Sequence, residues 1–164
     1  MIELSIMNPR LIIALLFIIP TTAPLHAEIG ATPEQSVARY GKPEREALKE
    51  TSLLYFRQNG LCTIAHFDQG QCDILSIFSS NELMGLPEAI EYGKRASLLK
   101  SEGGGAEWKP LGRVSFNEVW NSSDKKSFAI YDTMRHKLII MTRAAYAREK
   151  KAHEAQAARP KATQ

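Results

Sequence analysis

Residues 52–78 read SLLYFRQNGLCTIAHFDQGQCDILSIF, and this stretch decides the fold. Three apolar runs in it are separated by two turn signals, NG at 59–60 and DQG at 68–70. Asn-Gly between apolar runs is the strongest short hairpin signal, because both turn residues must accept a positive φ. The stretch therefore predicts three consecutive antiparallel strands, at 52–57, 61–67 and 72–78.

A two-residue turn also predicts how the first two strands align. Gln58 should lie opposite Leu61, and Phe56 opposite Thr63. One face then carries a cleanly apolar set, which we expect to form the core: Leu54, Phe56, Leu61, Ala65 and Phe67. The other face is mixed, so we expect it to be partly covered.

The two cysteines of the chain lie in this same stretch. Cys72 should sit beside Phe67 or His66 in the second hairpin, four or five residues from Cys62, which is roughly 13–16 Å along a strand. A disulfide needs Cα atoms within about 7 Å. We therefore predict no intramolecular disulfide, although an oxidising compartment would favour one. A single C-x9-C spacing also predicts no zinc site.

A short helix precedes the strands and a second one follows them. Thr32 and Gln35 form a capping box, Pro33 takes the first helical position, and Gly41 ends the helix, which predicts a helix over 33–40. A helix is also predicted over about 87–101, ended by the glycines at 103–105. Its apolar stripe would be Ala89, Tyr92, Ala96 and Leu99, with Gly93 allowing close approach to a sheet.

The second half of the chain again predicts strands, at 116–120, 128–132 and 137–142. The element order α-βββ-α-βββ predicts an α+β fold with an antiparallel sheet of about six strands and helices on one face. Residues 144–158 are rich in Ala, Lys, Arg, Glu and Gln, which predicts a C-terminal helical tail. We assign residues 28–143 to a single α+β domain and 144–164 to the tail.

The N-terminus has the pattern of an export signal. Arg10 precedes nine apolar residues, LIIALLFII at 11–19, which is far short of the roughly 20 that a membrane-spanning helix needs. Small residues follow, which predicts cleavage after Ala27 and a periplasmic or secreted mature chain. Glu28 rather than a cysteine then comes first, so no lipid anchor and no transmembrane helix are expected in the mature chain. An uncleaved anchor is the alternative, which Pro20 and Pro24 disfavour.

Charge is concentrated at the C-terminus. Residues 143–164 hold six basic and two acidic side chains, whereas residues 28–142 hold 14 basic and 15 acidic ones. A nearly neutral body with a basic tail argues against a dedicated nucleic-acid domain, which would carry a basic face within the fold. The positive charge of the tail allows two interpretations. The tail is either a solvated helix end, or it makes a weak electrostatic contact with an anionic membrane surface through Arg148, Lys150 and Lys151.

Few residues suggest catalysis or ligand binding. His66, Asp68 and Asp73 cluster at one turn, but no nucleophile is expected near His66, so we predict no catalytic residues, and no cofactor or metal ligands. Trp108, Trp120 and Tyr131 are the candidate binding surface. Large aromatic residues are more often core than ligand platform, so packing is the expected role and an exposed binding surface is the alternative.

A family resemblance rests on four short motifs: GATPEQSV at 30–37, YGKP at 40–43, YF at 55–56 and FDQG at 67–70. They resemble the opening of the SmpA/OmlA-type small lipoproteins of outer-membrane assembly, and the β-lactamase-inhibitor proteins have a related fold. The resemblance covers about residues 28–79 and implies a non-enzymatic binding or scaffolding module whose partner is an envelope protein or polymer. A small envelope hydrolase or an inhibitor-like protein is the alternative.

Overall fold

The computed structural model describes residues 29–46, 52–80 and 87–158. In chain order the elements are α1 (Pro33–Tyr40), β1 (Arg45–Glu46), β2 (Leu53–Gln58), β3 (Leu61–Asp68), β4 (Gln71–Ser80), β5 (Pro87–Glu88), α2 (Tyr92–Glu102), β6 (Trp108–Val114), β7 (Asn117–Ser122), β8 (Ser127–Asp132), β9 (Lys137–Thr142) and α3 (Arg143–Ala157). The predicted signal peptide, 1–27, and residues 159–164 of the predicted tail lie outside the described residues.

The predicted fold class is confirmed: helices pack on an antiparallel sheet. The main path of the sheet runs β1-β2-β3-β4-β9-β8-β7-β6, and β5 pairs with β4 beside it. Residues 29–46, 52–80 and 87–158 form nine strands where six were predicted, because β1, β5 and β6 were not anticipated. β4 and β9 pair directly, with Ile77 opposite Leu138, so the two halves of the chain share one continuous sheet.

The first half follows its local signals closely. In α1, the Thr32 hydroxyl accepts from the Gln35 N–H at 3.3 Å, and the Gln35 side chain accepts from the Thr32 N–H at 2.8 Å. The predicted register is confirmed, with Gln58 opposite Leu61 and Phe56 opposite Thr63. Cys72 pairs with Phe67, and both cysteine thiols are free, as predicted.

α1 and α2 cover the predicted apolar face of the sheet, which we call the core face. Tyr40 of α1 packs on Phe56, with ring centroids 4.9 Å apart, and Leu98 and Leu99 of α2 join the same buried cluster. The predicted core residues all belong to or pack against this cluster: Leu54, Phe56, Leu61, Ala65 and Phe67. α3 lies on the other face, where Ala145 packs on Phe128 and Met141.

α2 differs from the prediction at its start and in its buried stripe. Pro87 and Glu88 form a short strand on β4, held by two hydrogen bonds between Glu88 backbone atoms and the Ser79 hydroxyl. The helix therefore begins at Tyr92, and it buries Leu98 and Leu99 while Tyr92 is exposed. Gly93 faces open space, and a Cβ added there would meet no atom within 4 Å, so the predicted close approach is wrong.

Candidate functional site

A groove opens on the core face where the sheet extends past α2. α2 packs over β9, and its Arg95 reaches across Tyr131 of β8, so β7 and β6 are left less covered. Two adjoining cavities form there, of about 500 Å³ and about 310 Å³, and both are lined by Tyr92, Pro110 and Trp120. Such volumes are typical of ligand sites. We call this feature the aromatic groove.

Three aromatic side chains line the aromatic groove at different depths. Trp120, on β7, is 6% exposed and lies at the floor, opposite Pro110 of β6. Trp108, the first residue of β6, is half-buried, and Tyr92, the first residue of α2, is 61% exposed at the rim. The groove therefore presents an apolar aromatic surface that remains open to solvent on one side.

The edge strand β6 shapes the outer wall of the groove. Its pairing with β7 slips between Pro110 and Gly112, which leaves Leu111 unpaired, and Gly112 adopts a φ of 106°. Proline and glycine both weaken strand prediction, which explains why sequence patterns missed this strand, yet both are common at sheet edges and bulges. Leu111, in the bulge, and Val114 are both exposed, as is Phe116 in the following turn.

A charged cluster closes one end of the groove. Glu118 of β7 accepts from Arg95 at 2.5 Å and from Arg113 at 3.1 Å, and the Arg95 guanidinium lies 4.2 Å from the centre of the Tyr131 ring. One carboxylate thus balances one of two arginine charges. Lys100 lines the larger cavity and has no ion-pair partner among the described residues. Lys109 also borders this cavity, but it lies opposite Asn121, so its side chain is on the α3 face of the sheet.

Gly103 determines where Trp108 can lie. A Cβ on Gly103 would come 2.3 Å from Nε1 of Trp108 and 2.4 Å from the carbonyl oxygen of Leu99. The indole therefore occupies the space that any larger residue would fill at the end of α2. The Trp108 Nε1–H is buried and has no hydrogen-bond partner within the described residues.

The structure brings two of the three predicted aromatic residues into the groove. Trp108 and Trp120 line the larger cavity together. Tyr131 is 3% exposed, and its hydroxyl accepts a hydrogen bond from the Ile90 N–H at 3.1 Å. Tyr131 is therefore a core residue, and Trp120 packs in the core while it also forms the groove floor. These two residues take the packing role expected from the sequence and do not form an exposed binding surface. Tyr92, which was predicted to pack on the sheet, and Arg113, which sequence patterns did not single out, complete the site.

The three cations predicted to contact an anionic surface have different surroundings. Arg148 donates to Asp68 at 2.9 Å and to Asp73 at 2.7 Å, and the hydrogen bond with Asp73 raises its pKa. This ion pairing corrects the prediction for Arg148, because its charge is balanced by the sheet. Lys150 lies 3.8 Å from Glu154, and Lys151 is exposed.

His66 and Asp73 are neighbours, as their positions in the hairpin predict. His66 Nδ1 lies 2.5 Å from Asp73 Oδ1, under the Arg148 side chain. Neither thiol of the chain complements this pair as a nucleophile. Cys62 is four residues away along β3, about 13 Å, and Cys72 belongs to the buried core cluster. Burial and the charge of Asp73 raise the pKa of Cys72 to about 12, so this thiol stays protonated at neutral pH.

A buried carboxylate at the end of α2 was not anticipated. Glu102 is 5% exposed, accepts from Arg39 at 2.6 Å and from Ser101 at 2.9 Å, and also accepts from the Tyr40 hydroxyl. Burial, and then the charge of Glu102, raise the pKa of Tyr40 well above its usual range. These contacts tie α1 to α2, which is a structural role. A glutamate before three glycines looks like an exposed helix end, so no sequence signal indicated its burial.

Two further observations bound the chemistry and the setting of the described residues. No group of three or more His, Cys, Asp or Glu in residues 29–46, 52–80 and 87–158 could hold a metal ion. Across the same ranges, no helix combines the length and the apolar character that crossing a membrane requires.

Comparison with known proteins gives distant structural matches alone. No protein-family model and no curated protein matches the chain. It is similar to a cysteine-rich secretory protein from Staphylococcus aureus (TM-score 0.41, 9% identity, covering 73% of this chain and 46% of that one). It is also similar to an extracellular protein containing an SCP domain from Bacillus anthracis (TM-score 0.41, 12% identity, 74% and 46%) and to a DUF4309 family protein from Bacillus subtilis (TM-score 0.39, 14% identity, 69% and 79%).

The chain spans less than half the length of the first and second of these proteins. At such TM-scores and identities, the likeness supports no conclusion about the activity of this chain. None of the three is described as a small lipoprotein of outer-membrane assembly, and the resemblance to that class stays a prediction.

Proposed function

We propose that this protein is an exported, non-enzymatic binding module of the cell envelope and that the aromatic groove is its ligand site. The observation that carries the proposal is the open groove of about 500 Å³ and about 310 Å³ in which Tyr92, Trp108 and Trp120, from three different elements, converge. Aromatic side chains that line an open concave surface supply large apolar contact area at low entropic cost, which favours a binding role.

The groove supports binding better than hydrolysis. A hydrolase needs a nucleophile or an acid–base pair that faces its substrate. The acidic residues lining the groove are Glu107 and Glu118, and Glu118 is held by two arginines. His66 and Asp73 lie beneath α3 on the opposite face of the sheet, so they do not face the groove. The resemblance to outer-membrane-assembly lipoproteins also implies a scaffolding or binding role.

Export and envelope location are part of the same proposal and rest on the apolar run at 11–19 and the small residues before Glu28. The partner is an envelope protein or polymer. The tail makes a weaker, secondary contact with anionic membrane through Lys150 and Lys151. Arg148 does not take part, because it is paired with Asp68 and Asp73.

The experiment uses the two tryptophans of the chain, both of which line the groove. We expect aromatic fragments to shift both indole N–H signals in two-dimensional NMR spectra of the wild-type protein. Ala96→Trp fills the groove from α2, so the shifts should disappear in this variant. Ala147→Trp adds the same side chain at an exposed position of α3 and is the matched control. Fragments that bind elsewhere, or that bind Ala96→Trp equally well, would overturn the assignment.

A further inference from the structure

We propose that one end of the sheet is a membrane-contact site, at which two apolar turns insert among the lipids of an envelope membrane. The site consists of residues 114–116 in the β6–β7 connection and residues 133–136 in the β8–β9 turn, which together we call the apolar tip. Val114, Phe116 and Met134 are 66%, 69% and 76% exposed, the highest values of any large apolar side chain among the described residues. The inference goes beyond the proposed function and does not depend on the aromatic groove.

Turn composition is the first argument. Hairpin turns favour Gly, Asn, Asp and Ser, because these residues suit turn geometry and are well solvated. Among the hairpin turns whose residues are all described, the three others are polar, with NG at 59–60, QG at 69–70 and SDKK at 123–126. Phe116 and Met134 are the exceptions, and neither belongs to a buried cluster. Packing therefore does not account for these two side chains, and exposed apolar surface that packing does not explain indicates a contact site.

The two turns form one surface, which is the second argument. β6, β7 and β8 are neighbours in the sheet, and the hydroxyl of Thr133, next to Met134, donates to the carbonyl oxygen of Phe116. The N–H groups of Met134 and Arg135 both donate to the Asp132 carboxylate at 3.0 Å. The apolar side chains are therefore carried by turns that are fixed before any partner arrives, which lowers the entropic cost of binding.

Charge complementarity with lipid head groups is the third argument. Arg113 precedes one turn and Arg135 lies in the other, and both side chains are more than two-thirds exposed. The carboxylates that they contact, Glu118 and Asp132, are less than a fifth exposed, and Glu118 is shared with Arg95. The outermost charges of the two turns are therefore positive. Guanidinium groups at the depth of the lipid phosphates, with apolar side chains entering the acyl region below them, match the layering of a membrane surface.

The shape of the apolar tip favours a bilayer over a protein partner. Its apolar side chains are carried by separate turns at the ends of strands, so a protein would need a pocket matched to each turn. Lipid chains close around an inserted side chain without a preformed cavity. The basic tail is a separate site, because α3 begins at the end of β9 opposite to the β8–β9 turn.

The test measures binding of the full mature protein to vesicles of phosphatidylcholine, with and without an equal part of phosphatidylglycerol. Phe116→Ser with Met134→Ser should weaken binding at least about tenfold at low and at high salt, because the lost contribution is apolar area. Val37→Ser removes an exposed apolar side chain from α1 and is the matched control, which should change binding less than about twofold. All three positions are exposed, so the melting temperatures should stay within about 2 °C of the wild-type value.

Charge variants separate the apolar tip from the tail. Arg135→Gln should weaken binding to the mixed vesicles about fivefold at low salt and much less at high salt. Lys125→Gln, in the polar β7–β8 turn, is its matched control and should have little effect. Lys150→Gln with Lys151→Gln removes the tail contact, and its effect should disappear at high salt, where binding through the apolar tip persists.

Insertion itself is measured by tryptophan emission. Phe116→Trp should gain quenching by lipids brominated on their acyl chains relative to the wild-type protein, whereas Val37→Trp should not. Absence of that gain, or equal binding by the wild-type protein and the double serine variant, overturns the inference. A wild-type protein that binds no vesicles, or that binds them through Lys150 and Lys151 alone, also overturns it and leaves the apolar tip to a protein partner. Fragment binding in the aromatic groove is measured independently, so the proposed function can stand or fail without this inference.

Discussion

Replacement of Gly103 by alanine tests the packing that builds the aromatic groove. The new Cβ would lie 2.3 Å from Nε1 of Trp108 and 2.4 Å from the Leu99 carbonyl oxygen, whereas carbon–nitrogen contacts are normally beyond 3.4 Å. About 1 Å of displacement is needed, and the Leu99 carbonyl cannot move without disturbing its 3.1 Å hydrogen bond from the Gly103 N–H. Trp108 must therefore shift, and the end of α2 must distort as well, because moving the indole does not relieve the contact with the Leu99 carbonyl oxygen. Overpacking of this kind costs about 1–3 kcal/mol, which lowers the melting temperature by roughly 4–12 °C.

Gly93 provides the matched control within the same helix. A Cβ there meets no atom within 4 Å, and alanine favours a helix over glycine by up to about 1 kcal/mol. Gly93→Ala should therefore raise the melting temperature by about 2–4 °C. Thermal unfolding with tryptophan emission measures both effects, and Gly103→Ala should also shift the emission because Trp108 moves towards solvent. A Gly103→Ala protein with unchanged stability and emission would refute this reasoning, as would equal destabilisation by the two substitutions.

The export signal, the cysteines and the tail each support a further prediction. Intact-mass measurement of the protein from its native envelope should show Glu28 as the first residue, and a chain that keeps residues 11–19 would instead be anchored. Non-reducing mass spectrometry should find no linked cysteine peptide, and alkylation near neutral pH should modify Cys62 well before Cys72. The folded-state pKa of Cys72, about 12, is raised above its ordinary value of 9.0, so the free energy of unfolding should fall as the pH rises from about 9 to 12. Cys72→Ala should reduce the slope of this free energy against pH by up to about 1.4 kcal/mol per pH unit. Equal slopes for the wild-type protein and the variant would contradict the burial of this thiol. Deletion of residues 149–164 should change the melting temperature by less than about 2 °C, because residues 149–158 are exposed, and it should weaken binding to anionic vesicles at low salt. Arg148→Ala should lower the free energy of unfolding by about 1 kcal/mol, because Asp73 loses its partner. A larger loss of stability from the deletion than from this substitution would show that the tail packs on the sheet.

The elements predicted well from sequence are those in which neighbouring residues determine the conformation. The capping box of Thr32 and Gln35 fixes α1, and the NG turn at 59–60 fixes the β2–β3 register, so both follow from short-range chemistry. The free cysteines follow from that register. β6 was missed because Pro110 and Gly112 contradict strand propensity, and an edge strand tolerates them since one of its sides is unpaired.

The site depends on contacts between residues distant in sequence, so little of it could be predicted. Trp108 and Trp120 were candidates because they are large aromatic residues. That they line one cavity with Tyr92 depends on how α2 packs against β6 and β7, which no local pattern indicates. Arg95 and Glu118 are 23 positions apart and lie on different elements, so no spacing rule connects them. Arg148 illustrates the opposite error: counted as free charge in the sequence, it is held by Asp73, 75 positions away.

The direct pairing of β4 with β9 has a consequence for how the chain folds. Each half can form its own hairpins from adjacent strands, but Ile74 meets Met141 across about 65 intervening residues, which is the most costly loop to close in the sheet. Until β9 is in place, β4 presents an unpaired apolar edge of the kind that associates with other chains. During synthesis in N-to-C order this edge stays unpaired until the last strand, β9, is available. The strand order therefore delays completion of the sheet until nearly the whole domain has been made.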